Sequence, residues 1–398
     1  MAATRELMAT AIPAGFEDVQ QAMRRDHARI LEALAQHGLH APEYPDLRGA
    51  GHPAGVAAAR AYPIQGILKY HGLSDWDWRI AYLPSISLNS DAAQTLTLVS
   101  FEPTLAQDRI TINGREAVGR EQERVVRSLD VVREIAGVYS RARVVSRNIV
   151  RAAKAGKGLG TSASASAALA MAALAATFGH QVAANSRLLS CVARLLAGSG
   201  CRSAVGGVSL WLSYPGISHQ ESYAVRLDDA AQLAELRLIT VPLDSRIGLQ
   251  TEMAHRDAPQ SSLFKAWMLG RCQEVLECVQ AVQRGDWRTV AQLAELDSIR
   301  LHGITMSGSR ENKLFAWEPE NIPLFRLCNA LRSEGIPVYF STDTGPTTVF
   351  MTHREHEERL VTRLEALGMG LEIIRGSIAG PAELVEESRA CQELEMEG

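Results

Sequence analysis

No two of the six cysteines in this 398-residue chain (Cys191, Cys201, Cys272, Cys278, Cys328 and Cys391) stand at C-x-x-C spacing. That speaks against a zinc site and against a disulfide framework, and predicts reduced, mostly buried thiols. An excess of charge is missing as well: 41 Lys and Arg against 45 Asp and Glu leave a net charge of −4. Neither nucleic acid nor an anionic membrane is therefore expected as a partner, and any basic site must be local. The chain reads as lacking an apolar run near the roughly 18 residues of a membrane span. Its first 20 residues carry Arg5, Glu6, Glu17 and Asp18 in place of a basic start and a greasy core, which predicts a cytoplasmic protein. Neither an internal repeat nor a low-complexity segment is evident.

What is present is ordinary globular material, 46% hydrophobic and 22% charged, long enough for two core-bearing lobes. Phe16, Val19, Met23, Ile30, Leu31 and Leu34 fall near helical spacing, so residues 15 to 37 predict an amphipathic helix. Pro42, Pro45, Gly49, Gly51, Pro53 and Gly55 then mark a linker. Residues 1–55 thus read as a helical extension and linker, 56–228 as a first lobe and 229–398 as a second. In the first lobe, Leu96 to Phe101 and Ile110 to Ile112, the latter followed by Asn113-Gly114, predict antiparallel strands and a hairpin turn. Helical patterns follow near 125 to 135, 161 to 178 and 185 to 197, then a strand from Val208 to Leu212. The second lobe predicts a strand at 236 to 241, helices near 262 to 283, 287 to 302 and 321 to 334, and two strands joined across Asp343-Thr-Gly-Pro346. A helix at about 354 to 367 follows. Strands and helices without strict alternation predict the α+β class.

The segment Lys154-Ala-Gly-Lys157-Gly158-Leu159-Gly160-Thr161-Ser162-Ala-Ser164 carries the strongest chemical signal. Glycines allow backbone N–H groups close to an anion, and a helix start leaves donors free with a dipole that favours negative charge. A phosphate cradle and a plain glycine turn before an Ala-rich helix both fit. A Walker A loop does not, because Gly158 follows Lys157 and Arg151 stands where the first glycine belongs. A dinucleotide fingerprint fails as well, since Gly156, Gly158 and Gly160 are evenly spaced. Three other positions stand out. Lys69 interrupts the apolar run Pro63-Ile-Gln65-Gly-Ile-Leu-Lys69-Tyr70-His71-Gly72, where it is either a paired buried lysine or one that snorkels to solvent. Arg202 lies in the small-residue loop Ser199-Gly-Cys-Arg-Ser, able to hold a carboxylate or phosphate or simply to cap a surface turn. Asp343 sits in a turn, where Asp is common for conformational reasons alone.

Taken in order, Ile-Leu-Lys69-Tyr70-His-Gly, Leu83-Pro-Ser85-Ile-Ser87-Leu, Gly158-Leu-Gly-Thr-Ser-Ala-Ser, Ser199-Gly-Cys-Arg202-Ser and Asp343-Thr-Gly-Pro346 resemble the mevalonate diphosphate decarboxylase group of the GHMP kinase superfamily. Weaker matches occur at Gln250-Thr251-Glu-Met253 and at Asp297-Ser298 through His302, and the likeness spans about residues 57 to 380. It implies a GHMP kinase fold: an N-terminal lobe like domain 2 of ribosomal protein S5, an α+β C-terminal lobe and a deep cleft between them. It also implies ATP and Mg2+, a small-molecule substrate, a homodimer, and phosphorylation of a tertiary 3-hydroxyl followed by loss of phosphate and CO2. On this resemblance Asp343, Lys69 and Arg202 are the catalytic residues. Tyr70, Ser162, Ser164, Arg202 and Thr251 would contact substrate. Lys157, Gly158, Leu159, Gly160, Thr161 and Ser162 would hold the ATP phosphates, with Ser162 also a magnesium ligand.

Diphosphate-using relatives tend to carry a second lysine four residues after the first, and here that position is Leu73. The family's asparagine five residues before the lysine is Ile64, and the one two residues after the strand's proline is Ile86. With one cation for a distal phosphate gone, the chain is most similar to the phosphomevalonate decarboxylases of archaeal and some bacterial isoprenoid routes. Those convert mevalonate 5-phosphate to isopentenyl phosphate. A 5-diphosphate substrate, a mevalonate 3-kinase that stops after phosphorylation, and a non-catalytic binding protein on the same scaffold are the alternatives.

Overall fold

Alanine dominates Thr161–Phe178, and alanine combines the highest helix propensity with the smallest side chain that still packs. The helix lies on the strands Val56–Ala61 and Ala93–Glu102, with the short helices Ser186–Ala193 and Gly200–Val205 against its other side. Buried along nearly its whole length, it anchors the main core of the first lobe with Val99, Phe101, Leu129 and Val144. In length and composition it would suffice to cross a membrane, contrary to the sequence expectation that no such run exists. Its apolar surface is instead covered by protein on all sides. The computed structural model describes residues 8–47, 51–151, 159–228, 232–246, 251–311 and 313–395, with the side chain of Thr251 outside that description.

Among the described residues the first lobe carries a two-stranded ribbon, Leu73–Asp75 with Ile80–Ala81, beside two larger sheets. One runs Glu383–Val385, Val56–Ala61, Ala93–Glu102, Arg141–Val150, Arg109–Ile112 and Arg115–Glu116 from edge to edge. Its pairs are antiparallel except Arg109–Ile112 with Arg141–Val150. The predicted Asn113-Gly114 turn closes the last pair with φ of +50° and +77°, the left-handed values of a two-residue hairpin loop. The second sheet runs Ala224–Arg226, Val208–Trp211, Ser85–Asn89 and Ile64–Leu68. The second lobe is built on Val338–Thr342, Thr348–His353, Leu236–Val241 and Ile374–Gly376, covered by the helices Phe264–Gln283, Trp287–Gly308 and Asn321–Ser333. The class is α+β, as expected. The helix predicted near 354 to 367 is a 3-10 turn, Arg354–His356, running into Glu357–Glu365.

Two sets of contacts cross the expected domain boundaries. The predicted N-terminal helix, Glu17–Gln36, is no loose extension: Ile30 and Leu34 join a core with Leu210, Leu238 and Val279, and Phe16, Val19 and Met23 pack with Phe264, Trp267 and Met268. The end of the chain does not stay with the second lobe either. Glu383–Val385 pairs with Val56–Ala61, and Ala390 and Leu394 cover Leu96 and Leu98, so the last elements complete the first lobe.

Candidate active site

The strand Ile64–Leu68 is buried along its length and delivers Lys69 at its end, 3% exposed. The ammonium donates to Gly66 O at 2.7 Å and Ser341 Oγ at 2.8 Å, and lies 3.5 Å from Asp343 Oδ1. Lys69 is therefore the paired lysine and not the snorkelling one. Burial pushes its pKa below the ordinary lysine value, while the Asp343 and Asp297 carboxylates pull it back up. Asp343 follows the strand Val338–Thr342 directly, and its side chain is 28% exposed, open to the cleft. Gly66 is required by close approach: a Cβ there would stand 2.8 Å from Asp343 Oδ1 and 3.0 Å from Lys69 Cγ.

Of the residues that fix this pair, Asp297 and His302 belong to one of the weaker motif matches, whereas Ser341, Arg271 and Trp317 were not singled out in the sequence. Ser341 Oγ meets Lys69 Nζ and Gln65 Nε2, both at 2.8 Å, and Gln65 reaches Asp343 Oδ1 at 3.4 Å. Asp297, wholly buried, accepts from the Lys69 N–H at 2.6 Å and pairs with Arg271 at 3.0 Å, while Arg271 donates to Lys69 O at 3.1 Å. One buried ion pair thus clamps both backbone polar groups of Lys69. Thr342 is held by His302 Nε2 at 3.0 Å and by Trp317 Nε1 at 3.2 Å, which sets the start of the Asp343 turn.

Arg202 sits not in a loop, as expected, but inside the short helix Gly200–Val205. It is 2% exposed, and its Nε and Nη1 are buried with no hydrogen-bond partner. Its guanidinium carbon lies 5.4 Å from the centre of the Tyr70 ring. Buried guanidinium donors without an acceptor are costly, and their natural complement is an anion. Burial lowers the Arg202 pKa, opposed by Cys201, Tyr70 and Asp343.

These groups share one cavity of about 370 Å³. Lys69, Tyr70, Arg202 and Asp343 line it, and so do Gly160, Thr161 and Ser162 at the start of the Ala-rich helix. Gly160 has φ of +70°, and a Cβ there would meet Ile64 O at 2.7 Å, so only glycine lets the loop lie this close to the strand. The helix start therefore presents backbone N–H groups and two hydroxyls beside the Lys69–Asp343 pair. Leu159, half-buried, precedes them without lining the cavity, and Lys157 and Gly158 lie outside the described residues. Ser164 is a correction: it is fully buried, its hydroxyl bonded to Thr95 Oγ1 at 2.6 Å and to Thr161 O at 3.0 Å, and it faces the sheet. Thr251 opens the helix Thr251–Asp257, whose Glu252 and His255 reach the cavity. Leu73, 5% exposed, lines the wall. Among the described residues no cluster of three or more His, Cys, Asp or Glu could hold a metal. A larger hollow, of about 540 Å³, lies elsewhere, with its charges paired among themselves as Arg226–Asp228, Arg237–Glu357 and Arg151–Asp91.

The diphosphomevalonate decarboxylase-like N-terminal domain model matches residues 61–224. Phosphomevalonate decarboxylase of Haloferax volcanii is 33% identical over 335 residues, covering 84% of this chain and 99% of that protein. Mevalonate diphosphate decarboxylase from Enterococcus faecalis, solved to address ATP binding mediated by mevalonate diphosphate, superposes with a TM-score of 0.74 at 26% identity, covering 84% of this chain and 99% of that one. The complex of MDDEF with MVAPP, AMPPCP and magnesium gives 0.75 at 26% identity over the same shares. The chain belongs to the mevalonate diphosphate decarboxylase family of GHMP-fold enzymes, ATP-dependent carboxy-lyases of the mevalonate pathway.

Proposed function

We propose that the protein converts mevalonate 5-phosphate to isopentenyl phosphate, with ATP becoming ADP and with release of phosphate and CO2. The observation that carries this reading is the Lys69–Asp343 pair at 3.5 Å sharing a cleft with Arg202, whose Nε and Nη1 lack partners. A tertiary hydroxide leaves poorly and phosphate leaves well, so the 3-hydroxyl is phosphorylated first. Asp343 orients that hydroxyl and accepts its proton as the oxygen attacks the transferred phosphoryl group. Lys69, 3.5 Å from the Asp343 carboxylate, stabilises charge on the phosphoryl oxygens. Arg202 holds the carboxylate with its two free donors. When the 3-phosphate departs, the electrons of the bond to the carboxylate carbon form the alkene, and CO2 leaves. The backbone of Gly160, Thr161 and Ser162 fits the nucleotide phosphates, and the Ser162 hydroxyl suits one magnesium position. Magnesium, which commonly keeps waters and phosphate oxygens as ligands and needs few from protein, would neutralise phosphate charge there. Leu73, an apolar wall where diphosphate enzymes tend to carry a cation, favours the monophosphate.

The test is turnover with ATP, magnesium and either mevalonate 5-phosphate or mevalonate 5-diphosphate, following ADP, phosphate and CO2 together. Equal release of all three from the monophosphate is expected. Faster turnover of the diphosphate would sink the substrate assignment, and ADP without CO2 would make the protein a 3-kinase.

A further inference from the structure

The two oxygens of the Asp343 carboxylate have different surroundings. Oδ1 faces inward: Lys69 Nζ stands 3.5 Å from it and Gln65 Nε2 3.4 Å, and a Cβ on Gly66 would lie 2.8 Å away. Among the described residues no donor reaches Oδ2, and the side chain, 28% exposed, opens on the cleft. The inner oxygen is held and the outer one is free.

The hydrogens of the neighbouring groups fix which donors remain available. Ser341, fully buried, has one hydroxyl proton and gives it to Gly66 O at 2.9 Å, so the lone pairs of its Oγ are left for Lys69 Nζ and Gln65 Nε2, each at 2.8 Å. Ser298, 3.4 Å from the same hydroxyl, spends its own proton on Ala294 O at 2.8 Å. An ammonium has three N–H bonds, and Lys69 commits one to Gly66 O at 2.7 Å and one to Ser341 Oγ. The last serves Asp343 or a phosphoryl oxygen, not both at full strength. The Gln65 amide offers two N–H bonds, one to Ser341 and one toward Asp343 Oδ1. That orientation is dictated by its neighbours, because neither a carboxylate nor a hydroxyl that has given away its proton can donate to an amide oxygen. Gln65 is 5% exposed and lies within the buried strand Ile64–Leu68, so the fold sets the position of the amide.

We propose that Gln65 is a positioning residue for phosphoryl transfer: it holds Asp343 Oδ1 while the last N–H of Lys69 turns to the transferring phosphoryl group, and so reserves Oδ2 for the 3-hydroxyl. The hydroxyl proton passes to Oδ2 as its oxygen bonds to the γ-phosphorus and the bond from that phosphorus to the ADP oxygen breaks, leaving Asp343 a neutral acid and ADP with the electron pair. A neutral amide suits this place because it anchors the carboxylate without adding a charge that would compete for the phosphoryl group. Asp343 is the proton acceptor in the function proposed above, and the role of Gln65 rests on that reading.

A double-mutant cycle tests the two separately. Single-turnover ADP formation is measured with ATP, magnesium and whichever of mevalonate 5-phosphate and 5-diphosphate turns over faster, for the wild type, Gln65→Leu, Asp343→Asn and the double variant. Gln65→Leu is expected to slow ADP formation about 10- to 150-fold, the worth of a hydrogen bond to a charged group, with the steady-state KM of both substrates within about threefold. On the Asp343→Asn background the same substitution should change the rate by less than about threefold, because the carboxylate it acts on is gone. A residue that merely supported the fold would slow both backgrounds by the same factor. Gln65→Asn, whose amide sits one methylene short of Asp343, should be slowed in the same range, and it replaces Gln65→Leu in the cycle should that variant fail to fold. ADP formation at the wild-type rate in the Gln65 variants, or equal factors on the two backgrounds, overturns the assignment. Near-normal ADP formation by Asp343→Asn alone would instead defeat the acceptor reading, and the role of Gln65 with it.

Discussion

Asp343→Asn keeps the size of the side chain and removes the proton acceptor facing the cleft. If Asp343 takes the 3-hydroxyl proton, kcat should fall about a hundred- to ten-thousand-fold while ATP affinity stays within a few-fold. Calorimetric titration with ATP and single-turnover ADP formation would separate the two, and near-normal turnover would remove Asp343 from the chemistry. Lys69 and Arg202 stood out in the sequence as residue types out of place, a lysine in an apolar strand and an arginine among small residues, whereas Asp343, an ordinary turn residue, stood out only through the motif resemblance. Ser341 and Gln65 did not, since a serine or glutamine in a strand carries no signal until its partners are known. Ser164 misled for a geometric reason. Successive helical residues turn by about 100°, so Ser164 lies roughly 200° round from Ser162, on the side toward Thr95 and away from the cleft.

Among the elements, the Trp287–Gly308 helix acts on the site from behind. Asp297 on it and Arg271 on Phe264–Gln283 form a pair that is fully buried on both sides and holds the Lys69 backbone. Removing Asp297 takes from buried Arg271 its hydrogen-bonded partner and leaves it only Glu274, at 3.4 Å, and breaking a buried pair in this way costs up to about 3–5 kcal/mol. Asp297→Asn is expected to lower the urea midpoint by that equivalent and to reduce kcat through a displaced Lys69. Unchanged stability would mean that Arg271 finds another acceptor. Periodicity made most helices and the central strands legible, down to the Asn113-Gly114 turn, because those signals are local. The pairing of Glu383–Val385 with Val56–Ala61 was not legible, since a three-residue strand has no pattern of its own and its partner lies more than 300 residues away. The N-terminal helix showed its apolar stripe in the sequence but not what covers it. That required the facing surface of Phe264, Trp267 and Met268.

Across the whole molecule, the interior holds neutral histidines that couple stability to pH. His71 and His219 are fully buried and His302 is 2% exposed. Burial lowers all three, with His255 and His302 adding to it at His71, Arg194 at His219 and Lys69 at His302, whose pKa falls to about 3. In the unfolded chain each titrates near the ordinary histidine value of about 6.5. Between about 3 and 6.5 the unfolded state therefore binds more protons than the folded one, so stability rises with pH across that window and is lost as pH falls below 6.5. For His302 the loss by pH 4.5 is roughly 2.7 kcal/mol, at about 1.36 kcal/mol per unit. His71 and His219, lowered by burial in the same direction, add to that loss. Urea midpoints should then fall from pH 7 to pH 5, where exposed carboxylates are still mostly ionised. His302→Gln should be less stable at pH 7, where it loses the fit against Trp317 and the bond to Thr342. Its midpoint should also fall less steeply with acid, by about one proton's worth of slope. A midpoint flat between pH 7 and 5, or a variant slope equal to the wild type's, would mean that these imidazoles take up protons inside the fold.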